Sequence, residues 1–212
     1  MGTALSASYF FKFFLVLCRF SAMQFVLPIL GDERINIKER LMIAIFLSLI
    51  VLGLVEHTLP SYTAQGSQIA YYIVTESLIG LILGLSVKII FSSIMILGNI
   101  ISMQSGLSAA TIFDPTQREQ IMLFSSFILI MAIVTAVASD THHIFITGFI
   151  ESYEVFKPGF MIDIGDAANK VSRLVANSFL LAFKVSSPFL IVGMAILVAS
   201  GVLSRLMPSL QV

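Results

Sequence analysis

The stretch IAYYIVTESLIGLILGLSVKIIFSSIMILGNIISM, Ile69 to Met103, decides the fold class. It is too long for a membrane-barrel strand and lacks strict alternation, so helix is the state left to it. As a straight helix it would measure more than about 50 Å, against a hydrocarbon core of about 30 Å. Glu76 and Lys88 sit inside it, and the uncharged residues between them cover only roughly 16 Å of helix, too little to span. The run must therefore break, tilt strongly or leave the membrane plane.

The flanking sequence has the same character. Of 212 residues, 58% are apolar and 11% are charged, with 12 residues of each sign. Soluble domains carry about 25% charged residues. This excludes a disordered chain, a charge-driven nucleic-acid binder and an ordinary soluble domain. Further apolar runs cover Tyr9–Leu30, with Lys12 and Arg19 inside, Leu41–Val55, Ile121–Ala138 and Leu174–Leu203. Polar stretches separate them at Asp32–Arg40, Glu56–Gln68 and Gln104–Gln120, and a mixed stretch at Ser139–Arg173. Gln120–Ser139 and Val185–Ser204 each match a bilayer core of about 30 Å, while Leu41–Val55, at about 22 Å, is short. Pro188 should kink the last run. The first loop holds Arg34, Lys38 and Arg40, whereas Glu56–Gln68 has no Lys or Arg, which places the first loop on the cytoplasmic side. Lys12 and Arg19 interrupt the first run and no small-residue cleavage site follows, so the N-terminus reads as a retained segment rather than a signal peptide. The expectation is an all-α integral membrane protein of broken helices and helical hairpins, one membrane domain over residues 1–212.

Few residues carry chemistry. Cys18 is the single cysteine and reads as a small core side chain. His142 and His143 are neighbours that point to different sides of a helix, with no further ligands to complete a metal site. No phosphate loop, nucleophile elbow or HExxH is present, and neither enzyme activity nor a cofactor is expected. Arg19, Glu76, Lys88 and Lys184 are the informative residues. Each lies deep in apolar sequence, where a charge costs about 2.5–3.5 kcal/mol at a helix centre, so each should face protein or water. They are read as charges for subunit packing in an assembly, with a transport role as the alternative. Gly80 and Gly84 form a small-xxx-small step that lets helix backbones approach, in this chain or between chains. The segment SGLSAATIFDPTQREQ, Ser105–Gln120, is the distinctive irregular one. Asp114 before Pro115 is biased out of the α region, so the chain should turn there, with Thr116–Gln120 opening the next helix. It is either a loop at the membrane surface or a gate that inserts Ile112 and Phe113 into a pore.

The stretch TESLIGLILGLSVKIIFSSIMILGNIISMQSGLSAATIFDP, Thr75–Pro115, resembles the central region of the flagellar FliR family, whose injectisome counterparts form the T component of type III secretion export gates. The matching positions are Glu76, Gly80, Gly84, Phe91, Gly98, Gln104, Gly106, Phe113, Asp114 and Pro115. Arg19 and Pro28 match the family's N-terminal span, and Pro188, Gly201, Arg205, Pro208 and Leu210 its late span. Departures are Lys88 for a common arginine, Ile35-Asn36 for an Ile-Pro step, Thr141 in place of a glycine before the histidines, and Leu197 for a frequent Asn. The family is expected to continue past Val212 with a further hydrophobic segment.

The resemblance implies one copy of the chain in a helical assembly with companion P and Q proteins and other export-apparatus membrane proteins. That assembly lies in the bacterial inner membrane at the flagellar basal body and forms the entry pore for unfolded export substrates. It also implies a pore plug built on Gly106, Ser108, Ile112, Phe113, Asp114 and Pro115, acting sterically. The Ala-Thr-Ile-Phe-Asp-Pro stretch is closer to flagellar than to injectisome members. Other readings are a small-solute secondary transporter, with Glu76 and Lys88 as its ion site, and a membrane scaffold without a pore. The transporter predicts inverted repeats, which the sequence does not display.

Overall fold

A computed structural model describes residues 2–28, 35–61, 66–105, 111–114, 119–159 and 163–206. The architecture is all-helical with one small hairpin. Helix α1 is Gly2–Val26, α2 Ile37–Val55, α3 Gly66–Gln104, α4 Leu123–Ala138, α5 Thr141–Val155 and α6 Ile164–Leu206. Strands β1, Thr111–Asp114, and β2, Glu119–Met122, pair antiparallel with Thr111 opposite Met122 and Asp114 opposite Glu119. Among the described residues α1, α3, α6 and the α2 stretch continued to Thr58 are long and apolar enough to cross a membrane.

Several boundaries differ from the sequence expectation, each for a local reason. The second span is longer than Leu41–Val55, because Ile37 to Arg40 are helical and Asn36 caps them by accepting from the Lys38 amide. A 3-10 turn, Glu56–Thr58, extends the other end, and Thr58 Oγ1 donates to the Val55 carbonyl at 2.8 Å. The third run does not break: α3 is one helix of 39 residues, about 58 Å long. The fourth helix is shorter than Gln120–Ser139, because Glu119 to Met122 turn back on β1 instead of opening the helix. The stretch Ser139–Arg173 holds α5, which follows a left-handed residue, Asp140 at φ 55°, whose amide donates to the Val137 carbonyl. Pro188 lies inside α6 without ending it. Its ring removes the amide that would bond the Lys184 carbonyl, and Ser187 Oγ donates to that carbonyl instead at 2.8 Å.

Several hydroxyls in these apolar helices are satisfied by the same device. Thr75, Ser86, Ser93 and Ser105 hydroxyls donate to carbonyls one turn earlier, at 2.6 to 3.0 Å.

The residues divide into two compact units. The first contains Met1–Ile89 and Ala136–Leu174. Its core joins Phe11, Leu15, Val16, Phe20 and Met23 of α1 to Ala44, Val51 and Val55 of α2, with Phe149 and Tyr153 of α5. With buried Ser48 between Ala44 and Val51, the buried α2 residues recur every three or four positions, as one buried helix face requires. Helices α1 and α2 form an antiparallel hairpin, tied at one end by Lys12 to Glu56 and at the other by Gln24 to the Arg40 carbonyl. Helix α3 runs parallel to α1, since Phe11 meets Tyr72 while Met23 meets Gly84. Helix α5 runs opposite to α1, with Phe149 edge-on to Phe20 and the turn beyond it carrying Gly159 against Tyr72.

The second unit contains Ile90–Thr135 and Val175–Val212. Its buried residues are mostly small, with Phe91 and Ile101 of α3 as the large apolar ones among those described. Gly98 of α3 lies so close to Ser125 of α4 that an added Cβ would come within 2.7 Å of the Ser125 Cα. Ser125 Oγ donates to the Met95 carbonyl at 3.0 Å. On α6 the buried residues are Ser178, Ala182, Ser186 and Gly193, and Gly193 packs on Gln104. Close backbone approach through small side chains is how helices associate where lipid removes the hydrophobic drive.

Candidate functional site

Two places carry the residues singled out by sequence: a buried charged cluster in the first unit and the hairpin segment in the second.

The cluster begins with the α1–α3 crossing. An added Cβ on Gly80 would collide with the Arg19 carbonyl oxygen, and one on Gly84 with the Met23 carbonyl oxygen. The pair Gly80 and Gly84 therefore packs within this chain. The close approach sets Arg19 of α1 beside Glu76 of α3, one turn before Gly80. Arg19 Nε donates to Glu76 Oε2 at 2.6 Å and Nη2 to Glu76 Oε1 at 3.0 Å, a bidentate ion pair with both side chains fully buried. The guanidinium also reaches α5: Nη1 donates to Ser152 Oγ at 3.0 Å and Nη2 to the Phe156 carbonyl at 3.0 Å. Its carbon sits 3.7 Å from the centroid of the Tyr153 ring, a cation–π stack. Arginine suits this site because its planar fork matches a carboxylate and its face stacks on an aromatic ring. Breaking such a pair on one side strands a buried charge, which is far costlier than never having built it.

Lys88 on α3 and Lys184 on α6 are exposed and do not belong to this cluster. The sequence reading missed Ser152, Tyr153 and the Phe156 carbonyl. Their signal was present as Phe149, Ser152, Tyr153 and Phe156, spaced three and four apart on one helix face. It was hidden by reading 139–173 as mixed sequence.

At the hairpin, Ile112, Phe113 and Asp114 are consecutive residues of β1, and Ile112 pairs with Ile121 and Phe113 with Gln120. Gly106, Ser108 and Pro115 lie outside the described residues. Residues 115–118 between the two strands, and with them the expected turn at the Asp-Pro step, lie outside the described residues. Among the described residues the ribbon has two strands, and its outer edges have no ladder partners in the sheet. Among the described residues no group of three or more His, Cys, Asp or Glu could hold a metal ion.

Comparison with known proteins fits this architecture. Residues 10–212 match the family described as bacterial export proteins, family 1. The flagellar biosynthetic protein FliR of Caulobacter vibrioides is 30% identical over 198 residues, covering 93% of this chain and 79% of that protein. The protein of the same name from Bacillus subtilis is 28% identical over 209 residues, 94% of this chain and 78% of its own length. That of Escherichia coli is 22% identical over 201 residues, 94% and 76% respectively. With a family match running from the first apolar helix to the last residue, the chain belongs to the FliR family of bacterial export proteins.

Proposed function

We propose that the chain is a core subunit of the flagellar type III protein export gate, in the inner membrane at the flagellar basal body. There it helps form the entry pore for unfolded flagellar proteins together with companion P and Q proteins and other export-apparatus membrane proteins. It acts by steric gating and performs no chemistry. The family match over residues 10–212, with relatives named for flagellar biosynthesis, carries this reading.

The helices support an assembled state. Helices α3 and α6, at 39 and 43 residues, are about 58 and 65 Å long, roughly twice a bilayer core. Upright spans have no use for that length. Along α6 nearly every large apolar side chain from Phe179 to Leu206 is exposed, so lipid and neighbouring subunits must share the covering. Lys88 and Lys184 would then meet neighbouring subunits.

The segment with Gly106, Ser108, Ile112, Phe113, Asp114 and Pro115 is the plug. A two-stranded ribbon with open edges cannot rest in hydrocarbon, where each unsatisfied backbone group costs several kcal/mol, so it belongs in a water-filled or protein-lined conduit. A lone hairpin is also marginally stable, so its surroundings decide whether it stays in place. A translocating chain can displace such an element without unfolding the helices around it.

The test replaces Gly106–Phe113 with a short Gly/Ser linker and measures conductance of assembled gates. Ion leakage should rise several-fold, and unchanged conductance would remove the plug assignment.

A further inference from the structure

The Arg19 cluster does more than neutralise a charge. Four of the five guanidinium N–H groups are taken by acceptors of this chain, two on α3 and two supplied by α5 and the residue that follows it. Both partners of the ion pair are fully buried in the single chain. We propose that this cluster is an intrachain latch, closed before any companion subunit binds, and that Arg19 is the positioning residue that docks α5 and the turn after it onto the α1–α3 pair.

Three observations lead there. First, the acceptors on α5 lie 133 and 137 residues beyond Arg19, so its charge is fully covered only once α5 is in place. Second, α5 has 15 residues, about 22 Å, shorter by itself than a bilayer core, so contacts with α1 help to hold it. Third, the turn beyond α5 is seated on α3: the Gly159 backbone lies against the Tyr72 ring, at φ 81°, a conformation suited to glycine. The latch therefore fixes the position from which α6 departs. It needs only this chain in a membrane and does not rest on the export reading, so its failure and that of the gate are separable.

The experiment uses the full chain with Cys18→Ser and cysteines at Phe20 and Phe149, whose rings are 5.3 Å apart between centroids. A short bifunctional thiol reagent reports α5 docking in membranes of cells that make this chain without companion subunits. High cross-linking is expected there, and cross-linking that appears only with companions would overturn the proposal. Arg19→Lys keeps the charge but loses the fork and the stack, and should lower the yield several-fold. Tyr153→Leu should lower it as well, whereas Tyr153→Phe, which keeps the ring, should match the parent. Should the lysine variant fail to accumulate, Ser152→Ala and Tyr153→Leu decide: parental yield in both would sink the latch.

Discussion

At the scale of single residues, the chain places two opposite charges in apolar helices and lets them meet. Arg19 and Glu76 are 57 residues apart, and the 2.6 Å contact between them is made where glycines bring two backbones together. The pair confers specificity of register, since sliding α3 by one turn would separate the charges and drive Gly80 away from the crossing. Glu76→Ala should lose about 3–5 kcal/mol, the cost of leaving Arg19 buried and unpaired. Glu76→Gln, which keeps an acceptor of similar shape, should lose less. Thermal unfolding of the detergent-purified protein checks the order, and an alanine variant as stable as the parent would contradict the pairing. Before folding, Arg19 and Glu76 were recognisable as costly residues, but not as each other's partners, because no spacing rule links residues on different helices.

At the scale of elements, length and polarity together decide what each helix does. On α6, Val185–Ser204 is the uncharged stretch that fits a bilayer core of about 30 Å. Lys184 then marks its edge, and the apolar residues before it, including Phe179 and Leu181, fall outside the hydrocarbon while still exposed on this chain. Single cysteines test the division with a membrane-impermeant maleimide. One at Ile191 should be shielded in every state. One at Phe179 should label when the chain is alone and become several-fold less reactive when the companion P and Q proteins are present. Equal labelling of Phe179 in both states would argue against a subunit contact there. At the hairpin, the pairing of Glu119–Met122 with Thr111–Asp114 was not legible, since β2 opens a run that reads equally well as helix.

At the scale of the whole molecule, the two units differ in how they are held. The first has a core of large apolar side chains around a buried ion pair, while in the second Phe91 and Ile101 are joined mainly by serine, alanine and glycine among the buried residues described. The first is equipped to form by itself, and the small-residue contacts of the second leave much apolar surface for others. Copurification follows as a prediction: the chain should be retained in a complex with P and Q proteins in mild detergent. Charge reversal at Lys184 should reduce that retention several-fold while the α1–α5 cross-link persists. A chain that remains solitary under those conditions, with intact folding, would contradict the assembly.

What the sequence determined by itself was the solvent and the element type. A chain with 58% apolar residues in long runs broken by few charges must place helices in lipid or in protein, because no other backbone arrangement of that length satisfies its own hydrogen bonds. The order of glycines, charges and the Asp-Pro step also made the FliR family recognisable. Only the tertiary structure decided which charge meets which, that the glycine step serves α1 of the same chain, and that α5 exists and closes the cluster. The physical reason is one of range. Periodicity and capping act over a few residues and can be read along the chain, whereas an ion pair across 57 residues and a hydrogen bond across 137 depend on where whole helices pack.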